Sequence, residues 1–143
     1  MGMFARYLQY SRQTIVRAKH EADRFGSPEI DPEHILLALL NDPVLTSRTM
    51  QGISEKEIAM TVEAHIPRGE RNPLPHDLEL SRTAREALVL AEGEADKLGH
   101  RDIRNEHILL GLVESGNSFA AKVLAKEGVS ADHLRRQIDS SSS

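Results

Sequence analysis

Two glutamate–histidine pairs, Glu33-His34 and Glu106-His107, each run directly into Ile-Leu-Leu. A pair of carboxylates is the minimal equipment for acid–base hydrolysis, one group holding a proton while the other accepts one. Each glutamate sits in its own copy of a repeated segment, however, and nothing else in the chain supplies a shared cleft. The histidines follow the glutamates immediately, and adjacent residues on a helix point about 100° apart. They therefore lack the i, i+4 spacing of a zinc-binding helix, and we expect them to cap or pack beside their helices. His20, His65, His76, His100 and His133 are scattered and take no ligand role. The absence of cysteine excludes disulfides, thiolate metal sites and a cysteine nucleophile. Ser11, Ser54, Ser115 and Ser130 have no His/Asp constellation near them in the sequence that would make one a nucleophile. No G-x-x-x-x-G-K-(S/T) stretch occurs, so these residues hold no P-loop. No catalytic residue, metal or cofactor is expected.

The elements that must position the two glutamates are themselves duplicated. Sliding the sequence by 73 positions aligns residues 7–40 with 80–113 without a gap, and 14 of the 34 pairs are identical. A repeat of this kind means one supersecondary unit used twice. In the first helix of each unit, Leu8, Ile15, Ala18, Ala22 and Phe25, or Ala84, Leu88, Ala91, Ala95 and Leu98, recur at helical spacing and define one buried stripe. Gly26 and Gly99 follow, where a left-handed residue stops a helix. The second helix opens after Asp31 as N-cap with Pro32 at N1, and after Asn105 as N-cap in the other unit. Its apolar block, Ile35-Leu36-Leu37 with Leu39, has no polar face and marks the central buried helix. A glutamate in its first turn complements the helix dipole whatever else it does. Residues 41–52 and 114–128 each predict a short third helix, the second version three residues longer. Gly52-Ile53-Ser54 then matches Gly128-Val129-Ser130 at an offset of 76. Ser54 and Ser130 are the expected N-caps of a fourth helix, lined by Ile58, Val62 and Ile66 or by Leu134 and Ile138. The fold class is therefore all-α, two tandem four-helix repeats packed as a pseudo-twofold bundle. Repeat one spans 4–66, a breaker-rich linker 67–79, repeat two 80–138, and a solvated tail 139–143.

Bulk properties narrow the function classes. A chain of 143 residues with 39% hydrophobic and only 3% aromatic residues suits helix packing through small side chains. Charges of both signs are interspersed around a net charge of −4, so no nucleic-acid footprint is present. The longest apolar run, Ile35–Leu40, is too short to span a bilayer, and the N-terminus lacks a signal-peptide core. The expectation is a cytoplasmic domain without nucleic-acid or membrane partners.

The twice-used (P/N)-E-H-I-L-L-(A/G)-L, preceded by E-A-D-(R/K)-(F/L)-G, resembles the Clp N-terminal repeat domain over residues 4 to 138. Met3-Phe4-Ala5-Arg6-Tyr7 and Glu106–Leu112 are most similar to the ClpC type. The resemblance implies a non-catalytic module that docks adaptor proteins and protein substrates for the Clp ATPase and protease core. It also implies that each repeat can hold a phosphoarginine tag, the glutamate of Glu-His-Ile-Leu-Leu receiving the guanidinium. Those glutamates are Glu33 and Glu106. A carboxylate at a helix start suits a bidentate bond from a guanidinium, and the exposed amides there favour a phosphate. The threonine common before that glutamate is Pro32 and Asn105 here, and a hydroxyl residue typical of the first helix start is Leu8 in repeat one but Ser81 in repeat two. This ranks a site around Ser81, Asn105 and Glu106 above one around Glu33. The alternatives are a free-standing modulator of the Clp core and, from a different class, a carboxylate-dependent hydrolase.

Overall fold

The computed structural model describes residues 2–70 and 78–141, so most of the expected linker and the last two residues of the tail lie outside the described residues. Eight helices follow one another: α1 (Gln9–Phe25), α2 (Pro32–Leu39), α3 (Pro43–Thr49), α4 (Glu55–His65), α5 (Arg82–Lys97), α6 (Asn105–Ser115), α7 (Phe119–Lys126) and α8 (Ala131–Ser141). Each repeat supplies four of them, as the duplicated pattern requires. Gly26 (φ 68°) and Gly99 (φ 75°) stand in the left-handed conformation beyond α1 and α5. Ser54 and Ser130 accept the amides of Glu57 and His133 at 3.2 Å, so both cap as their spacing predicts.

Three boundaries differ from the sequence reading, the first at Leu8, which is the extended, half-buried N-cap of α1 and not part of its stripe. Asn105 is the first residue of α6 and Arg104 is the N-cap, because the Asn105 side chain is committed elsewhere, across the repeat boundary. The helix α8 continues to Ser141, so the first serines of the expected tail are helical.

The two units are laced together by exchange. The segment entering α1 pairs with the segment entering α6: Tyr7 and Ile103 form a parallel bridge, with Leu8 N–H to Ile103 O at 3.2 Å and Ile103 N–H to Arg6 O at 2.9 Å. The segment entering α5 pairs with the segment entering α2 in the same way, through Ile30 and Leu80. An offset of 73 carries one bridge onto the other, which is the reciprocity a pseudo-twofold axis demands. The same exchange recurs at the periphery, where α4 packs on α7 and α3 on α8.

At the centre lie α2 and α6. Every residue from His34 to Leu39, and from His107 to Leu112, is buried. The helix α2 packs on α1, α4, α5, α6 and α7, and α6 on α5, α7, α8 and α2, so each is covered by both repeats. The crossing of α5 and α6 is especially tight at Gly111, where a methyl group would meet the Ala87 carbonyl oxygen and come within 2.9 Å of the Ala91 Cβ. Ala38 occupies the same repeat position in α2, so the α1–α2 crossing accommodates the methyl that α5–α6 does not.

Gly111→Ala should therefore destabilise the protein by about 1–3 kcal/mol, the usual cost of overpacking. Gly93→Ala should do the reverse and add about 0.5–1 kcal/mol, since Gly93 lies inside α5 and a Cβ there meets nothing within 4 Å. Urea unfolding of both variants beside the wild type checks the pair of signs.

Candidate functional site

The two histidines do what their position predicts. His34 and His107 stand at the third position of α2 and α6, and each Nδ1 accepts the N-cap amide, Asp31 N–H at 2.8 Å and Arg104 N–H at 2.9 Å. An Nδ1 that accepts leaves the proton of the neutral ring on Nε2, which then donates to Ser27 Oγ at 3.0 Å or to His100 Nδ1 at 2.9 Å. Both side chains are fully buried and uncharged. Burial pushes each below the ordinary histidine range, His107 down to about 4 with help from the neighbouring His100. These rings anchor the helix starts from which the glutamates project.

The glutamates part company at this point. The Glu33 carboxylate reaches across the repeat boundary, and its Oε2 accepts the amide of Ala120 in the first turn of α7 at 3.2 Å. Beside it the His65 ring stacks on Phe119 at 3.6 Å, with 3° between the planes. Glu106 instead lines a groove of about 820 Å³ walled by α1, the start of α3 and the start of α6. Among the described residues no ion pair or cross-repeat hydrogen bond engages its carboxylate, and burial raises its pKa, an effect that nearby Arg48 and Arg104 offset in part and Asp42 reinforces.

The cause of this difference is one N-cap. The residue before α7 is Ser118, whose single hydroxyl accepts only the Ala121 amide, at 3.0 Å, and so leaves Ala120 N–H for Glu33. The residue before α3 is Asp42, whose Oδ1 accepts both Val44 and Leu45 N–H at 3.1 Å. Val44 holds the place of Ala120, and its amide is already used. Asp42 also carries a like charge, so Glu106 is both refused a donor and repelled.

The Asn105 side chain completes the groove floor. It accepts from Thr14 Oγ1 at 3.0 Å and donates to Asp42 Oδ2 at 2.9 Å, tying α1, α3 and α6 into one wall. Arg17, Arg48 and Arg104 line the same space. None of the three forms an ion pair with a described residue, and their repeat counterparts are Leu90, Leu124 and Asp31.

Of the residues singled out from the sequence, the structure brings together only Asn105 and Glu106. Ser81 caps α5 through Ala84 N–H at 3.1 Å, and its own amide donates to Ile30 O at 2.9 Å. It therefore lies toward the Glu33 side, and Leu8 takes the corresponding place in the Glu106 groove. The grouping of Ser81 with Glu106 treated each repeat as a closed unit, whereas the entering segments are exchanged. Glu33 does not line the groove, so the two carboxylates do not share a cleft. The arginines and Asp42 carry no motif and were missed; only the reciprocal packing of the repeats points to them.

The sequence profile of the Clp repeat (R) N-terminal domain matches the chain twice, over residues 6–84 and 79–143. The chain belongs to this family. It is 34% identical over 139 residues to the negative regulator of genetic competence ClpC/MecB of Bacillus subtilis, covering 95% of this chain but 17% of that protein. The chaperone protein ClpB of Oceanobacillus iheyensis is 33% identical over the same proportions. The chain thus spans a small fraction of the length of these relatives. Among solved structures, the N-domain of ClpV from Vibrio cholerae superimposes with a TM-score of 0.77 at 20% identity, covering 95% of this chain and 84% of that one. The Hsp104 N-terminal domain from Candida albicans gives 0.74 at 21%, covering 92% and 87%. These likenesses carry the all-helical Clp N-domain fold. Among the described residues no single helix is long and apolar enough to cross a membrane.

The depressed pKa of His107 has a consequence for stability. Between its ordinary value near 6.5 and its folded value near 4, the unfolded chain takes up a proton that the folded chain refuses. Stability should thus be complete above pH 6.5 and fall as the pH drops toward 4, by roughly 2–3 kcal/mol from this residue. His107→Gln, which keeps an acceptor for the Arg104 amide but does not titrate, should flatten that slope in urea unfolding at pH 7.5, 5.5 and 4.5.

Proposed function

We propose that this domain is a non-catalytic docking module that presents adaptors and protein substrates to a Clp ATPase and protease core, and that the Glu106 groove is its site for arginine-phosphorylated chains. The supporting observation is the charge arrangement of that groove. A phosphoarginine side chain has a guanidinium that donates in the plane and a phosphoryl group that accepts from cations. Glu106, a half-buried carboxylate with no competing partner, suits the first, while Arg17, Arg48 and Arg104 suit the second. The image site around Glu33 has its carboxylate engaged by Ala120 N–H and has no arginine at the corresponding positions. Family membership supplies the class of partner. The N-domain of one relative, ClpV, has been solved in complex with a VipB peptide, which fits a peptide-docking role for this fold.

The reading differs from the two-site expectation in stoichiometry. Titration with phosphoarginine, followed by calorimetry and amide chemical shifts, should show one site per chain. Glu106→Ala should weaken binding by at least about tenfold, the loss of a charge-assisted bidentate contact, whereas Glu33→Ala should leave the affinity within about twofold. Absence of saturable binding at millimolar ligand, or equal losses in the two variants, would remove the tag-reading role and leave adaptor docking alone.

A further inference from the structure

The Glu106 groove differs from its image at three positions that are bonded to one another. Asn105 accepts from Thr14 Oγ1 at 3.0 Å and donates to Asp42 Oδ2 at 2.9 Å. Asn105 is 2% exposed and Thr14 6%, so the link runs beneath the groove floor, out of water. At the image place Thr14 becomes Ala87, Asn105 becomes Pro32 and Asp42 becomes Ser118. Alanine and proline side chains offer neither donor nor acceptor, so the link is not made there. Burying polar side chains costs free energy unless every one is paired, and the image place is built without them. The fold therefore does not require this unit, and its reason lies in the groove.

What the unit fixes is the Asp42 carboxylate. Asn105 holds Oδ2, which turns Oδ1 toward α3, where it accepts Val44 and Leu45 N–H, both at 3.1 Å. An N-cap side chain ordinarily satisfies one amide, at the second or the third helical position, as Ser118 does with Ala121. Asp42 takes both. The extra amide, Val44 N–H, is the counterpart of the one that Ala120 gives to Glu33 at 3.2 Å. With it withdrawn, Glu106 has no donor in the first turn of α3, and its carboxylate stays turned to the groove.

We infer that Asp42, held by Asn105 and Thr14, is the positioning residue of the groove: by taking the Val44 amide it keeps the Glu106 carboxylate free for a ligand. Its importance for binding rests on the reading of the groove proposed above, whereas its hold on Glu106 does not. Both Asp42 oxygens already accept hydrogen bonds within the chain, so it acts through Glu106. Withdrawal of the donor is separable from the like charge that Asp42 also brings. Asparagine at this place keeps an acceptor for both amides and removes the charge, whereas serine releases the Val44 amide.

The test follows the amide protons of Val44 and Ala120 in the whole chain and asks whether each answers to removal of its glutamate. In the wild type, Glu33→Ala should move the Ala120 amide proton upfield, the sign of a lost charge-assisted hydrogen bond, while Glu106→Ala leaves Val44 nearly unmoved. In an Asp42→Ser background Glu106→Ala should move Val44 upfield as well, and in an Asp42→Asn background it should not. Ser118→Asp should uncouple Ala120 from Glu33 in the same way. Phosphoarginine should bind Asp42→Ser at least about tenfold more weakly than the wild type, and Asp42→Asn within about threefold of it. A Val44 amide indifferent to Glu106 in Asp42→Ser overturns the inference with or without ligand, and so does phosphoarginine binding that Asp42→Ser leaves unchanged. If the amides couple as expected but the wild type binds no phosphoarginine, the hold of Asp42 on Glu106 stands and the tag-reading role alone is lost. Should Asp42→Ser not fold, Ser118→Asp decides, and an Ala120 amide still answering to Glu33 overturns the inference.

Discussion

The architecture rests on two helices that neither repeat can bury alone. From Ile35 to Leu39 in α2 and from Ile108 to Val113 in α6 no polar side chain interrupts the helix, so a single four-helix unit would leave part of its central helix in water. Burying a leucine or isoleucine side chain contributes roughly 1.5–3 kcal/mol, and each of these helices carries four. The pseudo-twofold packing removes the exposed faces by setting α2 against α5, α6 and α7. The exchanged bridges at Tyr7–Ile103 and Ile30–Leu80 then satisfy backbone groups that would otherwise face the seam. Because helix starts lie at that seam, the Glu33 side chain of α2 and the Asn105 side chain of α6 meet the other repeat.

That placement decides the electrostatics. A helix start leaves unpaired amides, and across this seam each glutamate approaches the first turn of the other repeat's third helix. Whether it finds a free donor there depends on how many amides the local N-cap consumes. Serine at 118 consumes one and aspartate at 42 consumes two. Two identical glutamates in equivalent positions consequently have different roles, Glu33 fastening α2 to α7 and Glu106 facing a groove. The distinction is one of partner supply, since burial pushes both pKa values upward.

Much of the fold was legible because the repeat reports it twice. The helical stripes, Gly26 and Gly99 as stops, the Asp31 and serine caps and the buried Ile-Leu-Leu blocks follow from spacing and local capping rules, and they agree between copies. Arg104 rather than Asn105 as the cap was not legible, because the pull on the Asn105 side chain comes from Thr14 and Asp42, which are 91 and 63 positions away in the chain. The same long-range exchange hid the make-up of the site. Reading Ser81 with Glu106 assumed that residues close in sequence share a surface, whereas the segment before α5 crosses to the other unit and Leu8 comes back in its place. The arginines of the groove have no spacing of their own and become visible only once α1, α3 and α6 share a wall.

A duplicated unit offers an internal comparison that a single fold does not, and the informative positions are those where the copies disagree. Identical pairs such as Ala18/Ala91, Ala22/Ala95 and Ile35/Ile108 are buried in both repeats and report only the shared core. Val16/Val89 is identical and exposed in both, so identity alone marks neither core nor function. A disagreement such as Asp42 against Ser118 is different in kind, because it changes whether the carboxylate nearby is satisfied from within the chain. One copy shows the closed arrangement, at Glu33 with Ala120, and the other leaves the Glu106 carboxylate facing a groove. A half-buried carboxylate lacking an internal partner has already borne part of its desolvation, which favours a cation or donor brought by a ligand over one that must be stripped from water at the surface. The closed copy shows where a donor sits and the open copy leaves the same acceptor without one, so Asp42 in place of Ser118 is what separates two otherwise equivalent glutamates.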